Sequence, residues 1–423
     1  MGLELFFDVE KVDTSSYPLY TTFTYPDYIR SLTYAQIRKM GEKEFIKVML
    51  KFRLWAIELN EKYKHPFFGG SKSVKQIVSG FKQFDRLKVD DFSNVIDGRT
   101  CIKYVNSNIT SGVNHWFPEM CFVDTNKGRN PMLLFYCSEE RYIRIVKAVV
   151  YNDPQKVFSG KAEGKKISDS LVGVLKIARG SQKVGQFPPY VAKWLFVNSL
   201  KSVKSNDLYV YDPCGGWAGR LLAMMAASSH HTLRDKNITF ITTDVNSEVH
   251  DRFNMLYNFW KQFVRQDMKM TLHKSLTPAE DIHKDPLINK YFGKGNMVFT
   301  SPPYYDKERY SKDDNQSFIR YKTYDEWREG FLRGMIQNIH LFLRPGGIFF
   351  LNIADVRIES CKVVANVQED SLRIAKEVGF DLEDEYHMLM TLGIGAGKTG
   401  TKNQYELNGE QKKFEPIFKL RRK

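Results

Sequence analysis

The sequence has few cysteine and histidine residues, and none of them stands in a metal-binding pattern. Among 423 residues there are five cysteines and nine histidines. No two cysteines form a C-x-x-C pair and the histidines are scattered, which argues against a zinc site and against a disulfide framework. We therefore expect a protein of a reducing compartment whose function requires no bound metal ion.

Long apolar runs are also absent. No stretch approaches the 18 consecutive apolar residues that indicate a membrane-spanning helix. The first ten residues lack the basic flank and apolar core of a secretory signal. These absences predict a cytoplasmic protein that does not associate with a membrane.

Basic residues, in contrast, are in clear excess. The formal net charge is +14 and the isoelectric point is about 9.3. A cation excess of this size favours binding to a polyanion such as nucleic acid, although a generally basic, solvated surface would have the same composition. The length is sufficient for two or three domains with sizeable cores.

A proline-rich motif follows a short apolar run in the second half of the chain. We predict that 297–299 forms a buried parallel strand, with the loop Thr300-Ser301-Pro302-Pro303-Tyr304-Tyr305 at its carboxyl end, where open α/β sheets bind ligands. Both prolines stiffen the loop. The Ser301 hydroxyl and the Pro302 carbonyl can accept hydrogen bonds from the amino group of a planar base, on which Tyr304 can stack. The alternative is a simple turn with a buried tyrosine.

A glycine-rich turn precedes this loop by about the length of three strand–helix units. A predicted strand at 208–211 leads into Asp212-Pro213-Cys214-Gly215-Gly216-Trp217-Ala218-Gly219-Arg220, and a predicted helix follows at 221–227. Strand, turn and helix in this order let a cofactor approach the backbone and a helix N-terminus. Because Ala218 disfavours a positive φ, we expect Gly215 and Gly219 to form the bend. The next predicted strand, 238–243, ends at Asp244, an expected acceptor for ribose hydroxyls, with an Asx-turn that caps the next helix as the alternative.

Together, these motifs resemble those of the amino-group DNA methyltransferases, which use S-adenosylmethionine. Ser-Pro-Pro-Tyr at 301–304 resembles their catalytic motif, and 212–220 resembles their cofactor loop. The resemblance covers 181–423. It implies an α/β fold with a Rossmann-like class I methyltransferase sheet, mostly parallel and seven-stranded, and an additional N-terminal domain, mainly helical or α+β, at 1–160.

The resemblance also assigns roles to individual residues. Gly185 to Tyr190 is similar to the family motif that lies under the methionine end of the cofactor. In the family, a polar residue after the third strand holds the cofactor adenine. We choose Asp281 for the adenine-binding role, and an N-cap role for Asp281 is the alternative. The residues expected to catalyse the transfer are Ser301, Pro302, Pro303 and Tyr304. Those expected to bind the cofactor are Phe187, Pro188, Asp212, Pro213, Gly215, Gly216, Asp244 and Asp281.

Target recognition is separate from the catalytic core in this family, which makes 1–160 the candidate for DNA binding. Lys72 and Lys75 lie in a basic segment with helix-turn-helix character, where DNA contact and an ordinary packed helix both stay open. Lys307 and Arg309 are expected to hold the phosphates of the target nucleotide. We also expect 181–423 to bind the cofactor without 1–160.

The resemblance leaves the substrate open. A serine at the first motif position occurs more often with cytosine N4 as the target, and adenine N6 in DNA or RNA is the alternative. A catalytically silent DNA-binding module is an alternative of another class, supported by Ala218. The DNA would be single-stranded, or double-stranded with a flipped base. We expect the protein to lie at the nucleoid, in the cytoplasm of a bacterial or phage-infected cell. Its biological setting would be restriction-modification or another process. The oligomeric state stays open.

Overall fold

The architecture was analysed in a computed structural model of the chain. The structure describes residues 22–96, 98–103, 116–125, 130–152, 164–176, 184–264, 267–305, 307–358, 363–390, 404–407 and 410–423, and the single residues Asp13 and Ser15. None of the described helices combines the length and the apolar character that crossing a membrane requires.

The described strands and helices alternate in the second half of the chain, and helices dominate the first. The strands are β1 (Ser93–Ile96), β2 (Arg99–Ile102), β3 (Asp124–Thr125), β4 (Asp207–Asp212), β5 (Asn237–Thr243), β6 (Met270–Ser275), β7 (Gly295–Thr300), β8 (Glu308–Arg309), β9 (Leu343–Asn352), β10 (Val356–Ile358), β11 (Val363–Ala365), β12 (Phe380–Met390), β13 (Gln404–Leu407) and β14 (Glu410–Arg422).

The helices are α1 (Asp27–Arg30), α2 (Tyr34–Lys39), α3 (Glu42–Tyr63), α4 (Val74–Arg86), α5 (Leu133–Tyr136), α6 (Glu139–Val146), α7 (Leu171–Lys176), α8 (Pro189–Leu200), α9 (Gly219–Ser228), α10 (His250–Lys261), α11 (Pro286–Asn289), α12 (Ser317–Arg320), α13 (Tyr324–Glu326), α14 (Arg333–Phe342) and α15 (Val367–Val378). Shorter 3₁₀ segments lie at Phe67–Gly69, Val89–Phe92, Pro118–Cys121, Ile167–Asp169, Ser247–Val249 and Ala279–Lys284, and π-helical segments at Lys147–Tyr151 and Trp327–Leu332.

The predicted seven-stranded sheet is confirmed as the centre of the fold. Its strand order is β12-β14-β9-β7-β4-β5-β6, and β14 alone among these seven runs antiparallel to its neighbours. Among the described residues the sheet is larger than predicted and has ten strands. The β1–β2 hairpin adds to the β12 edge, with β2 parallel to β12, and β13 pairs with β14.

The N-terminal segment divides between two hydrophobic cores. Residues from α1 to α3 pack with α5 to α7 in a helical core that contains Phe45 and Phe52. Residues from α4 to Val123, however, pack in the same core as α8, α9 and α10; Phe81 of α4 lies 4.5 Å from Trp260 between ring centroids. The domain boundaries stay a prediction, but this packing joins part of 1–160 to the helices that cover the seven-stranded sheet.

A buried lysine fastens α4 to α8. The side chain of Lys193 is 1% exposed, and its ammonium group donates to the carbonyls of Phe84, Asp85 and Leu87 at 2.9, 2.7 and 3.3 Å, where α4 ends. A cation at a helix C-terminus compensates the carbonyls that lack helical partners. Burial lowers the pKa of Lys193 to about 8, with Asp85 opposing the shift.

Candidate active site

The turn between β4 and α9 bends at two residues with positive φ. Gly216 has φ of 53°, and Ala218, the residue before α9, has φ of 57°. Left-handed backbone costs an L-residue other than glycine roughly 1 kcal/mol. The expectation that Gly215 and Gly219 form the bend was therefore wrong: Ala218 accepts the strained conformation, and the turn keeps its shape with alanine at this position.

Gly215 and Gly219 are required for another reason, which is close packing. A β-carbon at Gly215 would lie 2.4 Å from the Thr242 hydroxyl oxygen, and one at Gly219 would lie 2.7 Å from the Phe187 carbonyl oxygen. Both distances are far below van der Waals contact. The two glycines thus let the turn pack directly against β5 and against the segment that precedes α8.

A buried ion pair stabilises the same turn on its inner side. Arg220 Nε donates to Asp212 Oδ2 at 2.7 Å, and both side chains are at most 5% exposed. Arg220 also donates to the Cys214 carbonyl, while the Cys214 amide donates to Asp212 at 3.3 Å. Burial raises the pKa of Asp212, and the guanidinium group opposes this shift. Asp212 therefore shapes the turn, a role that the sequence analysis did not distinguish from direct binding.

Asp244 stands at the end of β5 and faces the turn. Its carboxylate accepts hydrogen bonds from the amides of Gly216 at 2.7 Å and Asn246 at 2.9 Å. Burial raises the pKa of Asp244 to about 6, although both amides and Arg220 favour the charged form. The side chain still lines a cavity, so its remaining acceptor positions can meet the hydroxyl groups of a ligand.

Glu280 occupies the place expected of Asp281. Asp281 forms ion pairs with Lys284 at 2.8 Å and Arg320 at 2.9 Å, and it is not among the residues that line the cavity beside Asp244. Glu280 does line this cavity, and its carboxylate accepts from Arg320 at 2.7 Å and from the Tyr321 hydroxyl at 3.2 Å. Adjacent residues on a tight helix face different directions, which the sequence alone did not resolve.

The Ser-Pro-Pro-Tyr loop leaves the carboxyl end of β7, as predicted. Tyr304 is 6% exposed, and its hydroxyl lies 3.5 Å from the Asn352 carbonyl at the end of β9. The Lys307 ammonium group lies 4.5 Å from the centre of the Tyr304 ring. The following Tyr305 has φ of 52° and donates to the Lys322 carbonyl at 2.7 Å, which anchors the loop to the segment before α13.

Two adjoining cavities open at this edge of the sheet, with volumes of about 670 and 1180 Å³ up to solvent. The smaller is lined by Asp244 and Glu280 together with Pro303, and the larger by Pro302 and Tyr304. Their common wall contains the catalytic-loop serine and four residues that belong to the turn or face it: Cys214, Gly216, Trp217, Ser301 and Tyr310.

The larger cavity also contains the predicted residues of the segment before α8. Phe187 and Pro188 line it, and Phe187 packs edge-on to Phe299 of β7 at 5.0 Å. Thr125 of the N-terminal segment and Glu415 of β14 complete its outer side. Burial raises the pKa of the Cys214 thiol, which keeps this group protonated. Cys214 therefore lacks the thiolate that a nucleophile needs.

The segment after the catalytic loop covers the smaller cavity. Residues 315–317 line it, and Asp313 accepts from the Ser247 hydroxyl at 2.8 Å, which ties the segment to the loop after β5. No functional role was predicted for these residues or for Trp217 from the sequence. The only sequence feature that indicated a role for these residues was that they lie close to the two motifs. Residues of these types do not recur at a spacing that identifies a binding site.

The candidate nucleic-acid contacts lie in different places. Lys307 lines the larger cavity, while Arg309 is exposed on β8, opposite Asp124 of β3. Lys75 is exposed on α4, and Lys72 is partly buried before this helix, where burial lowers its pKa. The structure brings Lys307 to the catalytic loop, and it does not bring Lys72 or Lys75 into either cavity.

The model of a DNA methylase family, the N6/N4 methylases, matches residues 296–412. This match begins in β7 and contains the Ser-Pro-Pro-Tyr loop. Over these residues the chain is similar to the amino-group DNA methylases. No curated protein sequence matches the chain.

Solved structures similar to this chain include several methyltransferases. A candidate DNA modification methylase from Thermus thermophilus is 17% identical over 34% of this chain and 50% of its own length, with a TM-score of 0.24. The match thus spans half of the Thermus chain. A candidate class I S-adenosylmethionine-dependent methyltransferase from Listeria monocytogenes is 16% identical, covering 82% of this chain and 88% of its own, with a TM-score of 0.35.

Proposed function

We propose that this protein is a DNA methyltransferase that transfers a methyl group from S-adenosylmethionine to the exocyclic amino group of a flipped base, with cytosine N4 as the target. The observation that carries the proposal is the position of Ser301 in the wall between the two cavities. One cavity offers a carboxylate at the end of β5, and the other offers the tyrosine face of the catalytic loop. A donor and an acceptor of the methyl group can therefore meet at Ser301.

The smaller cavity fits the nucleoside part of the cofactor. Asp244 supplies a charged acceptor for ribose hydroxyls, and Glu280 supplies a second carboxylate farther along the cavity. A β-carbon added at Gly216 would meet only the Cys214 carbonyl, at 3.9 Å, and would otherwise occupy cavity space. Glycine at this position thus leaves room for a ligand against the backbone.

The larger cavity fits a planar base. The Tyr304 ring offers apolar surface for the base, and Met388 and Met390 form an adaptable wall. Phe187 lines the same cavity and stays the residue proposed for the methionine end of the cofactor. Lys307 lies over the Tyr304 ring; on binding, its ammonium group would move to a phosphate and release the ring face for stacking. A paired base cannot reach such a cavity, so we infer flipping or a single-stranded substrate.

The chemistry requires little from the protein beyond position and hydrogen bonding. An amino group conjugated to a ring is a weak nucleophile because its lone pair is delocalised. Holding the nitrogen close to the methyl donor supplies much of the rate acceleration. Ser301 Oγ and the Pro302 carbonyl accept the amino protons, and these hydrogen bonds strengthen as the nitrogen acquires positive charge. S-Adenosylmethionine, when bound, supplies the electrophilic methyl group.

The target base is tested by incubating the enzyme with labelled S-adenosylmethionine and DNA, followed by digestion to nucleosides. We expect label in N4-methylcytosine. Label in N6-methyladenine would select the adenine alternative, and a parallel incubation with RNA tests that substrate. Absence of label in every nucleoside, with a folded protein, would favour the silent DNA-binding module. The positive φ of Ala218 removes one reason for that module, because the turn forms despite the alanine.

Binding of S-adenosylmethionine should depend on Asp244 and on pH. Asp244→Ala removes a charged acceptor, which is worth roughly 1.5–3 kcal/mol of binding free energy. Because the pKa of Asp244 is raised to about 6, the carboxylate is charged above this pH and becomes protonated below it. Calorimetric affinity for the wild type should therefore fall between pH 7 and pH 5, whereas Asp244→Asn should lack this step. Equal affinity of wild type and Asp244→Ala would remove Asp244 from the site.

Ser301→Ala and Tyr304→Ala should reduce turnover through different steps. Loss of the Tyr304 ring should weaken base capture by about 1–3 kcal/mol, by analogy with stacking in single-strand binding proteins. Loss of the Ser301 hydroxyl should lower the rate of methyl transfer and leave cofactor affinity unchanged, because its hydrogen bond strengthens in the transition state. Single-turnover kinetics at varied DNA concentration separate these effects. If Ser301→Ala transferred the methyl group at the wild-type rate, the Pro302 carbonyl alone would accept the amino protons. Adenine would then be as good a candidate for the target base as cytosine.

A further inference from the structure

A third cavity, of about 980 Å³, lies at the opposite end of the sheet from the Ser-Pro-Pro-Tyr loop. It is formed where β4, β7 and β9 begin. Asn296 lines it near the start of β7, five residue steps or roughly 17 Å along the strand direction from Ser301. It therefore shares no wall with the two catalytic cavities. About 460 Å³ of this space is accessible interior, which lies in the range of small-molecule sites, about 300–1000 Å³.

Basic side chains dominate the lining of this cavity, which we call the basal cavity. Lys204, Lys294, Arg344 and Arg421 line it, and Asp207 is the only acidic residue among the lining residues. Arg421 is paired with Glu383, but the other three basic residues form no ion pair with any described residue. Like charges converging on one concave surface repel each other, and such a surface attracts anions.

Neutral groups in the basal cavity add hydrogen-bond donors. Asn296 is 5% exposed, and its Oδ1 accepts the Tyr209 amide at 2.7 Å, while its Nδ2 carries two donors of its own. The hydroxyl groups of Ser199 and Ser202 lie in the same lining. The one carboxylate, Asp207, already accepts from Asn237 at 2.7 Å. The set is rich in donors and suits an oxyanion with several oxygen atoms.

The surroundings make this end of the sheet still more positive. Lys236 lies below the loop that forms the cavity rim, and its ammonium group donates to the carbonyls of Val203 and Ser205 at 3.2 and 2.9 Å. Arg422 donates to the Leu343 carbonyl at the start of β9. Neither side chain lines the cavity, but both place a cation close to it.

We propose that the basal cavity binds a small ligand that carries phosphate groups, of the nucleoside polyphosphate class. The cations and the Asn296 amide would bind the phosphates, and the partly exposed Tyr209 and Ile348 offer an apolar surface for a ring. A DNA duplex bound at the catalytic edge would lie beyond the other end of the strands. A free ligand therefore fits this cavity better than the backbone of the methylated DNA.

The test uses the full-length protein and a double substitution, Lys294→Gln with Arg344→Gln. Both side chains are exposed and lie outside the catalytic cavities, so folding and methyl transfer should be unaffected. The charge-matched control is Lys43→Gln with Lys47→Gln, two exposed lysines on α3. The probes are inorganic pyrophosphate, ATP, adenosine and a DNA duplex, measured by calorimetry at one fixed ionic strength.

We expect the wild type and the control to bind pyrophosphate and ATP equally, and the double variant to bind both about tenfold more weakly or worse. Adenosine, which lacks phosphate, should not distinguish the three proteins. If ATP bound in the catalytic cavities, its affinity would be the same for the double variant and the wild type. Pyrophosphate, which lacks the nucleoside, controls for this binding mode. Equal pyrophosphate affinity in all three proteins, or no binding to the wild type, would overturn the proposal. A loss confined to duplex binding would also overturn it, in favour of a DNA-backbone surface.

Discussion

Deletion of 1–160 is expected to leave the methyltransferase half of the chain unfolded, with no measurable cofactor binding. The deletion removes α4, the β1–β2 hairpin and Trp116, all of which pack on the methyltransferase sheet or its helices. Trp116 lies 5.5 Å from Trp260 and 5.1 Å from Phe259 between ring centroids. Each large aromatic side chain lost from a core costs about 3–5 kcal/mol, and a whole domain has only about 5–15 kcal/mol of stability.

This expectation reverses the one drawn from the sequence, in which 181–423 bound the cofactor alone. The measurement is circular dichroism and calorimetric cofactor binding of the truncated protein. A folded truncated protein with wild-type affinity would show that the residues after 180 fold independently.

Two point variants serve as a control for this deletion. Phe81 lies in the core shared with Trp260, and Phe45 lies in the helical core, 4.8 Å from Tyr151. Phe81→Ala should destabilise the cofactor-binding part by about 3–5 kcal/mol, whereas Phe45→Ala should act on the helical core. The two variants are distinguished by thermal unfolding with and without the cofactor, because only the unfolding of the cofactor-binding part should shift to higher temperature when the cofactor is added. The reverse assignment of the two effects would place α4 with the helical core.

The strands themselves were accessible from the sequence because their signals are local. The apolar run at 297–299 and the turn after 208–211 each identify a strand end. Pairing between distant segments left no comparable signal. The β2–β12 pair involves only Cys101 with His387 and Ile102 with Met388, and nothing in either segment specifies the other.

The candidate site was partly predictable for the same reason. Residue type and strand position selected Asp244 and Ser301, which the structure places on the cavity between the two motifs. Asp281 was the residue chosen from the sequence for the cofactor adenine, whereas the phase of one helical turn places Glu280 on the cavity lining. Similarly, the apolar positions of α4 fit a recognition helix and a packed helix equally well, because both require one buried face.

Loss of the buried ion pair beneath the cofactor turn should lower the free energy of unfolding more than any other change described here except the deletion of 1–160. Arg220→Leu leaves the Asp212 carboxylate without its charged partner in a site where it is 3% exposed. Breaking a buried pair by removing one partner typically costs about 3–5 kcal/mol, because the remaining charge is neither solvated nor paired. The Cys214 carbonyl also loses its donor, so the turn should loosen and cofactor affinity should fall with the stability.

The pH dependence of this loss identifies its cause. Burial raises the folded-state pKa of Asp212, and removal of Arg220, which opposes the shift, raises it further. A raised carboxyl pKa means that the folded state binds the proton more tightly than the unfolded state. The deficit of Arg220→Leu should therefore be largest at pH 7 and shrink as the pH falls towards 5, as Asp212 becomes protonated. Urea unfolding at both pH values measures it.

Arg234→Leu is the matched control for this variant, since Arg234 is 54% exposed and pairs with Asp235 at 3.5 Å. Its stability should change by less than about 0.5 kcal/mol at either pH, because exposed pairs contribute little. Asp212→Asn combined with Arg220→Leu should recover part of the deficit at pH 7, because no unpaired charge then remains buried. If Arg220→Leu behaves like Arg234→Leu, or if its deficit is the same at pH 5 and pH 7, the ion pair does not hold the turn and Asp212 is available to the ligand.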